Sequence, residues 1–375
     1  MKSIKFISMM WLCVVTFFIQ SSGGTIIRYS GGEQNLSRRW SWAIQQAAEK
    51  GWTKGHWIGF SIQRMMPENS FIGSWSSNPA DNKPSLAECI YGIKINGEVG
   101  PHGPSGESTF EGYSNDDDGN NQSPKVLKEI GILFHFGDGA ELSKVVVSNL
   151  SLRVDLHDDP LIWVNTASDS KCISLLQQIY SGKILFEVQK QIVGAVGMAG
   201  SGNLAFSFLK DVLTGNDQIT VRKDAAFWLG QQNTIDGVRL LRLTAKEDPS
   251  KEMKEESVFG LSQMTLTEAT DALIELARTG SDIETRKKAM FWLGQKASEK
   301  GIKTLGEIAN TNDDVEIQKG AIFALSELPD NQGVEPLIKV AKTHPNSAVR
   351  KNAIFWLSQS DDKRALDALI EIVTK

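Results

Sequence analysis

The sequence RKDAAFWLGQ at residues 222–231 decides the fold of the C-terminal half, because close copies of it follow at a constant interval. The copies begin at residues 254, 286, 318 and 350, so the interval is 32 residues each time. A second apolar series keeps the same interval and consists of Leu209, Leu241, Leu273, Leu305, Leu337 and Leu369. Each period therefore holds two short amphipathic helices. Because such a pair cannot bury its apolar faces alone, we expect successive pairs to stack into an α-solenoid.

The second helix of each period resembles that of HEAT repeats of the phycobilisome-lyase type. In those repeats an apolar residue and Arg open the helix and Ala, Leu and Gly follow; the matching residues here are Val221, Arg222, Ala225, Leu229 and Gly230. The resemblance covers residues from about 173 to 375, and it implies a protein-interaction scaffold more often than an enzyme. It does not extend to bilin lyase activity, because no residue of this chain matches a pigment-handling residue.

Five phenylalanines with the 32-residue interval form a column on the second helices: Phe227, Phe259, Phe291, Phe323 and Phe355. At about 100° per residue this column points away from the apolar side of the helix, where solvent would be. One interpretation is a ligand track flanked by Lys223, Lys287, Lys351, Gln231, Gln295 and Gln359. The other is that each Phe leans into the next repeat and is mostly buried, which we favour because exposed aromatic rows promote aggregation.

The residue after each Phe alternates between large and small, as in Trp228, Gly260, Trp292 and Ala324. An indole needs space that a neighbouring Gly or Ala can provide at protein packing density. We therefore interpret this second column as packing between repeats, with Trp292 expected to be buried.

The N-terminal half follows a different pattern. Residues 37–50 read as one helix that ends at Gly51, and beyond it the apolar period changes to two. Strands are predicted at residues 57–65, 71–75, 86–95, 129–136 and 142–147, the last two joined by a hairpin at residues 137–139. Residues 155–164 then lead into the first solenoid helix near Ser168.

The chain is thus predicted to be mainly α, with three parts. A signal peptide occupies residues 1–23, a small α+β domain residues 25–165, and the solenoid residues 168–375 with about six helix pairs and a capping helix. The α+β domain contains a Gly-, Pro-, Ser- and Asp-rich stretch at about residues 96–124 that we expect to be a flexible insertion.

The first 23 residues have the layout of a secretory signal: Lys2 and Lys5, an apolar run from Ile7 to Ile19, and small residues after it. We expect cleavage near Gly23 and a periplasmic or secreted protein, with a retained N-terminal anchor as the alternative. The run is too short to span a bilayer comfortably, since a transmembrane helix needs about 20 apolar residues. No integral span is expected in the mature chain.

Two cysteines follow the signal, Cys89 and Cys172. In an oxidising compartment they could form one disulfide. The alternative is that both are buried thiols that act as small hydrophobic residues. The spacing Cys-x-x-Cys does not occur, which excludes a thioredoxin-type motif.

Composition and motifs exclude several function classes. A net charge of −5 offers no basic field for nucleic acid, and 41% hydrophobic with 23% charged residues is typical of a folded, water-soluble chain. No GxSxG, HExxH, phosphate-loop or GxGxxG motif is present. Ser168 and Lys171 satisfy SxxK, but Ser168 is expected to cap a helix. The acids at residues 116–118 lack the Glu that would complete a calcium loop.

These observations predict a non-enzymatic exported scaffold that binds a protein or peptide through the solenoid surface, without metal or other cofactor. One alternative is a hydrolase in the N-terminal domain that uses His157 with Asp155, Asp158 or Asp159, the only dense titratable cluster. Another is a purely structural envelope protein. Residue spacing does not identify the partner or the oligomeric state.

Overall fold

The computed structural model describes residues 18–21, 24–68, 70–73, 84–92, 124–152, 155–200, 202–215, 217–311 and 314–374. Most of the predicted signal segment, and the predicted insertion at residues 96–124 except Pro124, lie outside these ranges. The chain divides into two compact units, Met1–Gly200 and Ser201–Lys375. Each unit is described by itself.

The first unit is built on a six-stranded sheet. Its strands are β1 (Phe18–Ser21), β2 (Gly24–Arg28), β3 (His56–Pro67), β4 (Lys125–Phe136), β5 (Leu142–Asn149) and β6 (Leu161–Thr166). Their order across the sheet is β1-β2-β6-β3-β4-β5. The central strand β6 runs parallel to β2 and β3, and the other neighbouring pairs are antiparallel. β6 was not predicted, because its four apolar residues, at positions 161–164, lie in the segment that is expected to lead into the first solenoid helix.

Helix α1 (Leu36–Glu49) confirms the first predicted helix, and it covers one face of the sheet. Asn35 caps it by accepting a hydrogen bond from the Arg38 N–H. Trp40 packs edge-on against Phe134 of β4, with ring centroids 4.8 Å apart. The Arg39 side chain is buried and donates to the carbonyl oxygens of Val164 and Thr166, so α1 is held to the end of β6.

Helix α2 (Leu86–Tyr91) covers the other face, and the strand predicted at residues 86–95 was wrong. Ser85 and Glu88 form a capping box: the Ser85 side chain accepts from the Glu88 N–H, and the Glu88 carboxylate accepts from the Ser85 N–H. Leu86 and Ile90 join a buried cluster with Trp163 of β6. The strand predicted at residues 71–75 was also wrong, since its described part, Phe71 to Gly73, is not a strand.

Two glycines in the sheet make room for the side chains that pack between the sheet and α2. A Cβ on Gly59 of β3 would lie 3.0 Å from the Trp163 ring, and one on Gly131 of β4 would lie 3.1 Å from both Leu86 and Leu150. Trp163 is 0% exposed, so the largest side chain of the sheet packs directly on the backbone of the neighbouring strand.

Two further helices complete the first unit, α3 (Asp169–Tyr180) and α4 (Phe186–Ala199). They are the first of the consecutive helix pairs that run to residue 374. The Val145 N–H of edge strand β5 donates to the Gln191 side chain of α4 at 2.7 Å, which attaches the first pair to the sheet.

In its described residues the second unit has no strand, and its α-helices follow one another along the chain. They are α5 (Asn203–Thr214), α6 (Ile219–Gln232), α7 (Ile235–Glu247), α8 (Lys251–Gln263), α9 (Thr267–Thr279), α10 (Ile283–Lys296), α11 (Glu299–Thr311), α12 (Val315–Ser326), α13 (Val334–Thr343), α14 (Ser347–Ser358) and α15 (Lys363–Thr374). We name the odd-numbered helices from α5 to α15 the A helices and the even-numbered ones from α6 to α14 the B helices. Five A–B pairs stack in sequence and α15 follows them, which confirms the predicted solenoid.

Backbones of neighbouring B helices approach closely at alternate junctions. A Cβ on Gly230 of α6 would lie 2.7 Å from the Gly260 carbonyl oxygen of α8, and one on Gly294 of α10 would lie 2.7 Å from that of Ala324 on α12. The indole of Trp292 occupies the intervening junction, with its ring 5.1 Å from that of Phe259. Because large and small residues alternate at this position, the packing between B helices has a period of two repeats.

Polar residues also join successive repeats. Arg222, the opening residue of its RKDAAFWLGQ copy, pairs with Asp248 in the turn before α8, and Lys254 pairs with Asp282 at 3.2 Å. The corresponding Gln318 is buried and lies 3.0 Å from the His344 ring nitrogen. A Gln can thus replace the cation because its partner in the next turn changes from an acid to an imidazole.

Candidate functional site

The aromatic side chains of the B helices form one continuous run of ring contacts. We call it the aromatic ladder: Trp228, Phe227, Phe259, Trp292, Phe291, Phe323, Trp356 and Phe355. Within it, Phe227 stacks on Phe259 and Phe291 stacks on Phe323, each with centroids 6.4 Å apart. The remaining neighbouring rings lie 5.0–5.3 Å apart in edge or tilted geometry. Phe227, Phe259, Phe291 and Phe323 thus each contact a ring of an adjacent repeat, whereas Phe355 contacts Trp356 of its own helix.

Exposure along the aromatic ladder increases toward the C-terminal end. Phe227, Phe259 and Phe291 are partly buried, whereas Phe323 is 39% and Phe355 53% exposed. Trp228 is buried at 6%, but Trp292 is only partly buried, so the expectation that it is fully enclosed was wrong. Neither interpretation of the Phe column describes its whole length. The first three Phe residues are partly buried by packing, and the last two are exposed to solvent.

Two of the three lysines predicted beside the column form ion pairs with the next repeat. Lys223 lies 3.3 Å from Glu256 of α8, and Lys287 lies 3.9 Å from both Glu284 and Glu316. The pKa of Glu316 is lowered, chiefly by a hydrogen bond from Lys319 and further by the charge of Lys287. The charges of Lys223 and Lys287, which lie beside the N-terminal part of the aromatic ladder, are therefore largely compensated by glutamates of the same chain.

The remaining predicted binding residues are at the surface. Gln231, Gln295 and Gln359 are exposed, and so is Lys351 beside the open end of the ladder. Gln359 donates to the neighbouring Ser358 hydroxyl at 3.2 Å. These side chains give the aromatic ladder a polar border.

In the first unit, the structure separates the His157 cluster into two parts. His157 and Asp155 lie in an exposed turn, with the imidazole Nδ1 3.5 Å from the carboxylate. Their side chains are 69% and 48% exposed, and Asp158 is exposed beside them. Asp159 instead approaches a different histidine, His135 on β4. A catalytic group of His157 with Asp159 is therefore not formed.

His135 lies between a serine and a carboxylate. Its Nδ1 is 2.8 Å from the Ser143 Oγ and its Nε2 is 2.9 Å from the Asp159 Oδ2. The Ser143 hydroxyl also donates to the His135 carbonyl oxygen at 3.1 Å. If Nε2 carries the proton that Asp159 accepts, Nδ1 is a second acceptor for that hydroxyl. That is the order of groups in a nucleophile, base and orienting acid.

A β-bulge brings Ser143 to this position. His135 pairs with Lys144 and Phe136 with Leu142, so Ser143 is the extra residue of β5. Bulges of this kind redirect a side chain. The three residues are separated by 8 and 16 positions and match no motif, so spacing alone could not have grouped them.

The possible disulfide is not formed: Cys89 on α2 and Cys172 on α3 are both free and buried. Burial raises the pKa of both thiols, which disfavours the reactive thiolate. The structure thus agrees with the alternative of two thiols in apolar packing. Ser168 is the N-cap residue of α3, as expected, although its side chain makes no capping hydrogen bond.

Within the described ranges, no group of three or more His, Cys, Asp or Glu side chains is placed to hold a metal ion. Among the helices described, none is long and apolar enough to cross a bilayer.

Comparison with known proteins identifies the repeats. The HEAT repeat family matches residues 270–340 and 302–375, so this part of the chain consists of HEAT repeats. No match was found among curated proteins.

Several solved structures are similar to parts of the chain. A phycocyanin lyase complex from Nostoc is 26% identical over 42% of this chain and 98% of that one, with a TM-score of 0.31. Human deoxyhypusine hydroxylase is 17% identical over 54% and 85%, with a TM-score of 0.24. Lipovitellin is 13% identical over 66% and 32%, with a TM-score of 0.37. At TM-scores this low, these likenesses carry no argument about function.

Proposed function

We propose that this chain is an exported, non-enzymatic scaffold that binds a protein or peptide through the B-helix side of its HEAT repeats. The observation that carries the proposal is the exposure of Phe323 and Phe355 at the open end of the aromatic ladder. HEAT-type solenoids present extended surfaces that are suited to such binding. The proposal therefore moves the predicted site from the whole Phe column to its last two members.

The chemistry of this end suits a protein partner. Partly exposed aromatic rings that are fixed by neighbouring rings lose little conformational freedom on binding, and such anchors dominate interface energies. Phe323 is held by the rings of Phe291 and Trp356 on its two sides. Lys351 and Gln359 supply a polar border next to Phe355. A hydrophobic centre with a polar rim is the usual anatomy of a protein interface.

Site-specific photocrosslinking tests this proposal. A benzophenone amino acid in place of Phe355 should capture one protein from the exported fraction of the native host, and the same group in place of Leu243 should not. Leu243 is a matched control because it is 50% exposed on an A helix. Equal products from both positions, or none from Phe355, would count against binding at this end and favour a purely structural role.

Export is part of the proposal. N-terminal sequencing of the exported protein should find a chain that begins close to residue 24. Such a chain would lack β1 and keep the five strands β2 to β6. A start at Met1 would instead support a retained anchor.

A second candidate is a serine hydrolase activity at Ser143, favoured by the approach of His135 and Asp159. In this reaction His135 Nδ1 would take the Ser143 proton while Oγ attacks an ester carbonyl, and the same proton would pass to the departing alcohol. Water would then cleave the acyl-serine to a carboxylic acid. General-base assistance supplies about 10²- to 10⁴-fold, so we expect slow turnover from these three groups alone.

A fluorophosphonate probe tests the second candidate. Labelling of the full chain should disappear in Ser143→Ala and fall strongly in His135→Gln, while Ser41→Ala, a change of an exposed serine on α1, should leave it intact. Labelling that persists in Ser143→Ala would exclude this serine as the nucleophile.

A further inference from the structure

Strands β3 and β4 extend beyond the rest of the sheet. Pairing of β6 with β3 stops at Thr166 opposite Ser61, and pairing of β5 with β4 stops at Asn149 opposite Ile130. Past these points β3 and β4 pair only with each other among the described strands. We name one side of this two-stranded extension the ribbon face, and it consists of Gln63, Met65 and Pro67 on β3 and Lys125, Leu127 and Glu129 on β4.

The ribbon face is apolar at its centre. Met65 pairs with Leu127 across the two strands, and each of these side chains is 59% exposed. Successive side chains of a strand point to opposite sides of the sheet. Met66 and Val126, which point to the other side, are buried and partly buried. Solvent exposure is therefore confined to one side of the extension.

Opposite charges lie at the two ends of the ribbon face. Lys125 and Glu129 are two residues before and two residues after Leu127, so both charged side chains lie on the same side as the apolar pair. In the part of the chain that the structure describes, neither forms an ion pair. The ribbon face thus has a cation, an apolar centre and an anion in a row, and both charges lack a counter-charge.

Hydroxyl groups hold the Glu129 carboxylate from one side. Its Oε1 accepts hydrogen bonds from Ser61, from Tyr91 at 2.7 Å and from Thr166 at 3.3 Å. Burial, followed by the hydrogen bond to Glu129 and the charge of that carboxylate, raises the pKa of Tyr91, so the phenol keeps the proton that it donates. Within the described ranges Oε2 accepts no hydrogen bond. This second oxygen is therefore available to a cation.

We propose that the ribbon face binds the ribbon face of a second copy of this chain, with the two β4 strands antiparallel. A twofold axis that crosses the strands at Met65 and Leu127 would place Lys125 opposite the partner's Glu129 and the apolar pair against its own counterpart. The row of cation, apolar centre and anion is its own complement when reversed, as a symmetric interface requires. Packed sheets lie about 10 Å apart, a distance that a lysine and a glutamate side chain can span together.

Other occupants match the ribbon face less well. If the two copies met with parallel strands, Glu129 would lie opposite the partner's Gln63 and both charges would stay unpaired. The stretch 96–123 of the same chain contains six acids and no Lys or Arg, so it offers Glu129 no counter-charge. The ribbon face contains only six residues, and interfaces below about 1,200 Å² are typical of weak complexes. We therefore expect a dimer that forms at high protein concentration.

NMR of the full chain with methyl-labelled methionines tests this contact. The Met65 signal should shift as the protein concentration rises from micromolar to millimolar, whereas the signal of Met290, which is 0% exposed, should stay constant. Leu127→Asp should abolish the Met65 shift, because it puts two carboxylates at the centre of the interface. Leu243→Asp, the same change at a leucine that is 50% exposed on an A helix, should leave the shift unchanged.

Exchange of the two charges tests the antiparallel pairing. Lys125→Glu and Glu129→Lys should each weaken self-association about tenfold, because two exposed ion pairs are lost and like charges face each other. An equimolar mixture of these two variants should associate again, since each then supplies the charges that the other lacks. The chain that carries both changes should also dimerise. Lys144→Glu, the same change at an exposed lysine on β5, should have no effect.

Glu129→Lys removes the acceptor of three hydroxyls, so its thermal melt is measured first. If this variant does not fold, Lys125→Glu and Leu127→Asp decide the test together with their controls. Phe323→Ser with Phe355→Ser should leave the Met65 shift unchanged, because this contact does not involve the aromatic ladder. The proposal is overturned if the wild-type chain stays monomeric at millimolar concentration, if Lys125→Glu self-associates as well as the wild type, or if the mixture of folded charge variants associates no better than either alone.

Discussion

The two units bury their aromatic residues in different ways. In the first unit Trp163 is enclosed once, between a glycine of the next strand and helix α2, and this contact occurs nowhere else in the described chain. In the second unit the same Phe and Trp positions recur in every or every other repeat, and Phe227, Phe259, Phe291 and Phe323 contact rings of adjacent repeats. Phe355 contacts Trp356 of its own helix and is 53% exposed. A recurring aromatic position is therefore buried to different extents along the solenoid, whereas the single contact of Trp163 is fully enclosed.

The largest expected effect compares one tryptophan from each unit. Trp163→Ala should lower the free energy of unfolding by about 3–5 kcal/mol, because it empties a fully buried site. Trp356→Ala should cost clearly less, since that indole is only partly buried. Urea denaturation with hydrogen exchange would measure both values and locate the loss of protection. Equal costs would show that the two units do not differ in this way.

Glycines within the solenoid provide the second comparison. Gly294→Ala should destabilise by about 1–3 kcal/mol, because the new Cβ would meet the Ala324 carbonyl oxygen 2.7 Å away. Gly306→Ala should stabilise by about 0.5–1 kcal/mol, since its nearest neighbour is Pro336 at 3.7 Å and Ala is the better helix former. Thermal melts of the two variants should move in opposite directions. Movement in the same direction would contradict the close approach of α10 and α12.

The third prediction concerns pH and the first unit. Burial, and to a smaller extent the charge of His135, lowers the pKa of His56, which stacks on Phe136 with centroids 4.9 Å apart. Because the unfolded chain then binds the proton more readily, the free energy of unfolding should fall as the pH drops below about 6.5. The loss should reach about 1.4 kcal/mol for each unit by which the pKa of His56 is lowered. His56→Phe should flatten this part of the profile. His157→Gln, at an exposed position, should not.

The smallest expected effect lies on the solenoid surface. Lys342 pairs with Glu371 between α13 and α15, with side chains 34% and 43% exposed. A double-mutant cycle with Ala at both positions should give about 0.2–1 kcal/mol, and the coupling should shrink in high salt. A coupling of several kcal/mol would mean that such pairs, rather than apolar packing, hold the last repeat.

The two units also differ in how much of their fold the amino-acid sequence predicts. The solenoid was predictable because the same residues recur several times at a 32-residue interval. A single departure such as Gln318 therefore does not hide the pattern. In the first unit each sequence pattern that indicates a helix or a strand occurs only once. The apolar run from Leu86 to Tyr91 fits a strand or a helix, and only the Ser85 and Glu88 capping pair distinguishes them.

The candidate sites show the same limit. The positions of the Phe column could be predicted, but their exposure depends on where neighbouring rings lie. The approach of Ser143 to His135 depends on a bulge, and a bulge leaves no periodic trace in a sequence. Asp159 was recognised as a titratable residue, yet its partner lies on a strand 24 residues earlier.

Two matched double variants test whether the aromatic ladder changes from packing to binding along its length. Phe227→Ser with Phe259→Ser should destabilise the solenoid in urea, because the two rings stack on each other and contact the indoles of Trp228 and Trp292. Phe323→Ser with Phe355→Ser should cost much less stability, yet it should remove the protein captured by the crosslinker at a third nearby position, Lys351. The account is contradicted if the second pair destabilises as much as the first, or if capture survives it unchanged.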